Sequence, residues 1–133
     1  MKTLKIIIER SKDHFGAYAE NAEGIYGAGD TVEEAKQSIL DAITIIRQEF
    51  SSDNIPNILK GEYEIVYHFD AESFLRYYKG IFTNSALERI TGVNQRQLQH
   101  YSSGLKKPRQ LQLKKIEDGL HRLAAELQAV ELI

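Results

Sequence analysis

The stretch that decides how the second half of this chain folds is Gly92-Val93-Asn94-Gln95-Arg96-Gln97-Leu98-Gln99-His100-Tyr101-Ser102-Ser103-Gly104. Gly92 predicts the end of a helix over residues 86–91, because glycine enters a left-handed helix terminus without steric cost. Asn94 predicts the cap of the next helix, since its side-chain oxygen can accept a hydrogen bond from a free amide of the first turn. The stretch therefore predicts two helices joined by a tight turn, with the second over residues 95–102.

The apolar residues around this turn have a characteristic spacing. Leu87 lies five positions before Gly92, and Val93, Leu98 and Tyr101 lie one, six and nine positions after it. These offsets predict two helices that cross at a steep angle, so that the second can enter a DNA groove about 12 Å wide. A generic helical hairpin with a solvated polar face is the alternative interpretation.

The charge distribution favours DNA binding. No acidic residue lies between Gly92 and Lys115, whereas six basic residues do: Arg96, Lys106, Lys107, Arg109, Lys114 and Lys115. A polyanion can approach such a surface without like-charge repulsion. Residues 1–83 carry a net charge of −5 and residues 84–133 a net charge of +3, which suggests two modules with different partners.

Two groups of side chains are candidates for contact with DNA. Arginine pairs with guanine and glutamine with adenine in the major groove, which predicts the outward-facing residues of the second helix as base readers: Gln95, Arg96, Gln99 and His100. Contacts to phosphates fix register without reading sequence. The candidates for that role are Thr83, Asn84, Asn94, Ser103, Lys106 and Lys107.

The first half of the chain has the patterns of a small α/β unit. Apolar and alternating runs predict strands at residues 4–10, 15–19, 24–29 and 62–69. Thr31 and Glu34 form a capping box that predicts a helix from there to about residue 50. The order β-β-β-α-β predicts an α+β protein with an α/β domain over residues 1–69 and an all-helical domain over residues 70–133.

Nothing in the first half predicts an active site. Gly24, Gly27 and Gly29 precede a helix but lack a phosphate-binding motif, so tight turns are the preferred explanation. His14 and His68 have no second ligand at metal spacing, and the carboxylates are scattered. The chain has no cysteine. We therefore expect no catalytic residues, no metal and no cofactor, and a protein that is not an enzyme.

The remaining helices leave one question open. Asp70 predicts the cap of a helix over residues 71–82, and the last helix is predicted over residues 110–129. This last helix has apolar residues at alternating three- and four-residue spacing: Leu113, Ile116, Leu120, Leu123 and Leu127. They predict either a core stripe or the seam of a homodimer or higher oligomer, since groove readers usually work as pairs. With no membrane-spanning run and no signal peptide, a cytoplasmic protein is expected.

The chain as a whole resembles a HicB-type antitoxin of a bacterial type II toxin–antitoxin system. The run from Gly92 to Pro108 resembles the lambda-repressor-like helix-turn-helix found in one branch of that family. The order β-β-β-α-β, with Gly27-x-Gly29-Asp30-Thr31-x-Glu33-Glu34-Ala35 leading into the helix, is similar to the family's degraded ribonuclease-H-like domain.

This resemblance implies a function for each domain. The first would bind and neutralise a HicA-type toxin, a small basic protein that cleaves messenger RNA, and the second would repress the shared operon by binding its operator DNA. An acidic domain fits a basic partner electrostatically. The alternative is a stand-alone dimeric transcriptional regulator whose first domain senses a ligand or dimerises.

Overall fold

The protein has a mixed α+β architecture of four strands and five helices. The computed structural model describes every residue, Met1–Ile133. The strands are β1 (Lys2–Arg10), β2 (Phe15–Ala19), β3 (Tyr26–Gly29) and β4 (Tyr63–Phe69), and the helices are α1 (Val32–Glu49), α2 (Ala71–Tyr77), α3 (Asn84–Thr91), α4 (Gln95–Ser103) and α5 (Gln110–Gln128). The predicted order β-β-β-α-β is confirmed. The chain forms two compact units, Met1–Tyr77 and Tyr78–Ile133.

The first unit is built on a mixed sheet with strand order β3-β2-β1-β4. The central strand β1 is antiparallel to β2 and parallel to β4. Leu4, Ile6 and Ile8 alternate along β1 and are fully buried, and Ile39 and Ile43 of α1 are buried with them. This alternation places the apolar side of the sheet against the apolar stripe of α1, which makes the core of the unit.

Helix α1 begins with the capping box that the sequence predicts. The Thr31 hydroxyl accepts a hydrogen bond from the Glu34 amide at 3.1 Å. The Glu34 carboxylate accepts one from the backbone of Asp30 at 2.8 Å, one residue before the cap. The first bond satisfies an amide of the first helical turn, and the second satisfies the amide of the residue that precedes the cap.

The sequence predicts that the three glycines before α1 lie in tight turns, and this is correct only for the first of them. Gly24 has φ 80°, in the left-handed region, and lies in a turn. Gly27 and Gly29 lie in β3, where an added Cβ would come within 2.7 Å of the Ile39 amide nitrogen and within 2.4 Å of the Glu34 Cβ, respectively. These two glycines therefore allow β3 to touch the helix.

The first unit extends to Tyr77, past the predicted domain boundary at residue 69. Helix α2 belongs to this unit because Asp70 fastens it to the sheet. One Asp70 oxygen accepts from the Ser73 amide, which caps the helix as predicted, and the other accepts from the Arg10 amide of β1. The Phe69 ring packs edge-on against Phe74, with ring centres 6.0 Å apart.

The predicted helix over residues 71–82 is too long. It ends at Tyr77, and a turn follows in which Phe82 donates its amide hydrogen to the Tyr78 carbonyl. Gly80 is a poor helix former, and the Thr83 cap of α3 requires extended backbone, with φ −76° and ψ 158°. The chain therefore leaves the helical conformation between α2 and α3.

The second unit packs α3, α4 and α5 around a small core. The apolar residues at the predicted offsets from Gly92 are all buried, and Ile116 of α5 joins them: Leu87, Val93, Leu98, Tyr101 and Ile116. Helix α5 crosses the end of α3 at Gly119, where an added Cβ would come within 2.6 Å of the Ile90 carbonyl oxygen. Gly119 thus sets the distance between these two helices.

The predicted apolar stripe of α5 is only partly a core stripe. Of its five members, Ile116 is buried, Leu120 and Leu123 are half-buried, and Leu113 and Leu127 are exposed. None of the five helices has both the length and the apolar character needed to cross a bilayer.

Replacing Gly119 by alanine should destabilise the second unit. The added methyl group meets backbone atoms that cannot rotate away, and overpacking of this kind costs about 1–3 kcal/mol. Over most of that range the cost exceeds the roughly 1 kcal/mol that alanine gains as a better helix former. Denaturant unfolding measures the difference. Gly80→Ala is the control, since no atom lies within 4 Å of its added Cβ. Equal stability of the two variants would contradict the proposed steric contact.

Candidate nucleic-acid interface

The turn between α3 and α4 is held by Gly92 and by a buried hydroxyl. Gly92 has φ 77°, the left-handed conformation that the sequence predicts. The Thr91 hydroxyl donates to the Leu87 carbonyl at 2.7 Å and accepts from the Val93 amide at 3.1 Å. One side chain therefore satisfies backbone groups on both sides of the turn, which fixes the direction in which α4 starts.

Two side chains cap the start of α4. Asn94 accepts a hydrogen bond from the Arg96 amide at 2.8 Å, as the sequence predicts. Glu88, one turn before the end of α3, accepts from the Gln95 amide at 2.9 Å. The Glu88 cap was missed because only the folded turn brings that carboxylate to α4. Its charge is also favourable beside the positive end of the helix dipole.

The four predicted base readers do not share one environment. Gln95, Arg96 and Gln99 are exposed on α4, whereas His100 is half-buried. The Nδ1 atom of His100 is enclosed and has no hydrogen-bond partner. The Gln99 side-chain oxygen accepts from the Asn84 amide group at 3.0 Å, so this contact positions Gln99 against the start of α3 and leaves its own amide hydrogens free to donate.

The predicted phosphate-binding residues lie at the ends of the helices. Thr83 caps α3 by accepting from the Ala86 amide, and Ser103 donates its hydroxyl hydrogen to the His100 carbonyl at the end of α4. Lys106 and Lys107 are exposed in the loop that leads to α5. Asn84 is the first residue of α3 and contacts Gln99 of α4, and Asn94 is the N-cap of α4.

The basic residues of α5 differ in their contacts with the rest of the chain. Lys114 forms a salt bridge with Asp118, one turn further along, at 3.1 Å. Lys115 approaches the turn, since its Cε atom would lie 3.9 Å from a Cβ placed on Gly92. The positive charge beside the turn therefore comes from α5 as well as from the loop before it.

The first unit has a complementary feature that the sequence reasoning missed. Residues 13–35 contain six acidic residues and no lysine or arginine. In this unit, an open groove of about 460 Å³ lies between β3 and α1, with Tyr26 and Ile45 exposed in it and with Glu34 and Asp41 along it. Of the residues that line the groove, only Tyr26 and Glu34 belong to this acidic segment, so the sequence contains no direct signal for the groove.

The histidines of the first unit are not buried core residues. His14 and His68 are both exposed, and His14 contacts Ser11 and Asp13 at 2.9 Å each. The contact with His14 lowers the pKa of the Asp13 carboxyl group. No group of three or more histidine, aspartate or glutamate side chains is arranged to hold a metal ion.

Substitution of Glu88 tests the cap of α4. Glu88→Ala should lower the free energy of unfolding by about 1 kcal/mol, the typical loss of a helix cap, because the Gln95 amide loses its acceptor. Glu88→Gln retains an acceptor oxygen and should lose less. The control is Glu117→Ala, the same change on the exposed face of α5. If Glu88→Ala and Glu117→Ala change the free energy of unfolding equally, Glu88 does not stabilise the start of α4.

Comparison of the chain with protein-family models, with curated proteins and with solved structures finds no match. Two surfaces of this chain are candidate functional sites: the exposed polar face of α4 and the groove between β3 and α1.

Proposed function

We propose that this protein is a HicB-type antitoxin that represses its own operon. The second unit binds operator DNA as a helix-turn-helix, and the first unit, a ribonuclease-H-like domain, binds a small basic toxin that cleaves messenger RNA. The observation that carries the proposal is the exposed face of α4, where Gln95, Arg96 and Gln99 follow a turn fixed by Gly92 and Thr91.

The chemistry of this face fits the major groove. The guanidinium of Arg96 can donate two hydrogen bonds to a guanine, and a glutamine can donate to and accept from an adenine. Because Asn84 holds the Gln99 oxygen, the free amide hydrogens of Gln99 favour an acceptor on the base edge, such as N7 of a purine. Within this group Arg96 and Gln95 are the primary readers. The half-buried His100 has a smaller role.

The residues around α4 fit the phosphate backbone. Asn94 uses its side-chain oxygen for the cap, which leaves its amide hydrogens for a phosphate oxygen. Lys106 and Lys107 are exposed and have no acidic neighbour in the sequence. Ion pairs with phosphates release counterions, so binding through these lysines weakens as salt rises.

In this proposal the carboxylate of Glu88 lowers the affinity of α4 for DNA. It supports the first amide of α4, yet it adds one negative charge beside the base-reading residues. This charge therefore weakens the binding of any phosphate close to the start of α4, including one that Asn94 contacts.

The surface of the first unit supports the antitoxin half. Tyr26 and Ile45 are exposed large side chains beside the acidic residues of the β3–α1 groove. Exposed apolar side chains rimmed by charge are typical of protein-binding surfaces. Since α1 carries four carboxylates against two basic side chains, the matching partner is a basic protein.

Two variants separate base reading from phosphate binding. Arg96→Ala should weaken binding to DNA from upstream of its own gene by about 1–3 kcal/mol, with little effect on random duplex. Lys107→Ala should weaken binding to both DNAs alike and reduce the salt dependence by about one counterion. Titration of labelled duplexes at several salt concentrations measures both effects. A wild-type protein with no preference for its own upstream DNA would refute the repressor half of the proposal.

The toxin-binding half predicts that the β3–α1 groove is the contact surface. Tyr26→Ala and Ile45→Ala should each weaken binding to the purified basic protein encoded beside this gene by about tenfold, the usual effect of losing an apolar anchor. Both side chains are exposed, so the fold should tolerate the changes. Val66→Ala, on β4 at the opposite edge of the sheet, is the control. If a basic neighbouring product does not bind, a stand-alone regulator becomes the better description.

A further inference from the structure

The chain turns sharply at the end of α4, and two hydrogen bonds hold the residues that follow. Gly104 has φ 81°, in the left-handed region. The next amide, that of Leu105, donates to the Ser103 hydroxyl at 3.4 Å. The amide of Lys106 donates to the His100 carbonyl at 3.2 Å. The backbone therefore fixes the position of Leu105 relative to α4 on both sides of this residue.

The side chain of Leu105 is exposed at a place where helices usually cover such a residue. After a glycine in the left-handed conformation, an apolar side chain commonly packs back on the last turn of the helix. Leu105 directly follows Gly104, yet it is 69% exposed. Because hydrogen bonds hold the turn, this apolar surface is a fixed feature of the folded unit.

Leu105 lies beside the exposed face of α4. Arg96, Gln99 and Ser103 follow one another at intervals of three and four residues, so they share one side of the helix, and all three are exposed. Ser103 is the last of them and accepts the amide hydrogen of Leu105. Leu105 therefore extends the exposed face of α4 beyond the end of the helix.

The surroundings of Leu105 suit a polyanion. Lys106 and Lys107 follow it directly, and both are exposed. No acidic residue lies between Gly92 and Lys115. Among the groups that the bases expose in the major groove, the C5-methyl group of thymine is the one that calls for an apolar contact. An exposed leucine at the end of this face matches that group.

We propose that Leu105 reads thymine by covering its C5-methyl group in the major groove. This inference rests on the proposed binding of operator DNA through α4. Arg96 and Gln99 donate hydrogen bonds and so read purines, whereas Leu105 adds an apolar contact to a pyrimidine at the other end of the same face. Cytosine has no methyl group at C5, so the contact distinguishes thymine from cytosine.

Replacement of thymine by uracil tests this contact, because uracil lacks only the methyl group. The probe is the duplex from upstream of the gene, prepared once with thymine and once with uracil at every thymine position. The wild-type protein should bind the uracil duplex about fourfold more weakly for each methyl group that Leu105 covers, the usual effect of leaving one methyl group unburied. Titration of the two labelled duplexes measures this ratio.

Substitution of Leu105 should remove the preference for thymine. Leu105→Ala should bind the thymine duplex more weakly and both duplexes equally, because the shorter side chain does not reach the methyl group. Leu105→Met keeps a long apolar side chain and should keep the preference. Leu111→Ala is the matched control, since Leu111 is 72% exposed in the first turn of α5, and it should show the wild-type ratio.

Uracil at one thymine position at a time locates the contact. The loss of affinity should be confined to one or two positions in the site, where the methyl group meets Leu105. A small and equal loss at every thymine would show that uracil acts through the shape of the duplex, and it would overturn the inference.

Three further results would overturn it: a wild-type protein that binds both duplexes equally, a Leu105→Ala variant that keeps the wild-type ratio, and a Leu111→Ala variant that loses the ratio to the same extent. The repressor function is tested separately, by the preference of the wild type for upstream DNA over random duplex. A protein that keeps this preference but ignores uracil is a repressor in which Leu105 does not read thymine. A protein without the preference refutes the repressor function and this inference together.

Discussion

Within each unit, two backbone segments pack so closely that only glycine, which has no Cβ atom, fits between them. Gly27 and Gly29 bring β3 against α1, and Gly119 brings α5 against the end of α3. In each case the added Cβ would lie less than 3.0 Å from a heavy atom of the neighbouring segment. Such contacts make the packing of each unit unique, because the segments cannot shift without losing many van der Waals contacts at once. The groove between β3 and α1 lies directly beside the contacts of Gly27 and Gly29.

The second unit shows how a short stretch can position a polar surface. Thr91 and Glu88 belong to α3, yet their side chains satisfy amides of Val93 and Gln95 beyond the turn. The direction of α4 is therefore set by α3 and depends little on contacts made by its own exposed side. This arrangement leaves Gln95 and Arg96 free of any structural task. Their identities can change to suit a different ligand without unfolding the unit.

Local signals were sufficient to predict most of the fold. The αL glycine at Gly92, the caps at Thr31, Asp70 and Asn94, and the apolar offsets around the turn depend only on neighbours along the chain, and the structure confirms them.

The predicted end of α2 and the predicted domain boundary were wrong for different reasons. The end of α2 is decided nearby, by Gly80 and by the extended backbone that the Thr83 cap requires. The boundary of the first unit depends on a contact distant in sequence, the hydrogen bond from the Arg10 amide of β1 to Asp70. Two further features depend on how the helices pack: the hydrogen bond from the Gln95 amide to Glu88, and the partial burial of His100. The spacing of apolar residues in α5 does not indicate which part of this helix is buried by the rest of the chain.

The parallel pairing of β1 with β4 affects how the chain is made. Lys2 pairs with Tyr63 and Ile8 with Phe69, so about sixty residues must leave the ribosome before one edge of the central strand finds its partner. Until then β1 has only the hairpin with β2, and its open edge is a site where nascent chains can stick to one another. The three packed helices of the second unit all lie within residues 84–128, so this unit can fold as soon as α5 emerges. Synthesis therefore has one vulnerable interval, which lies in the acidic unit and closes with β4.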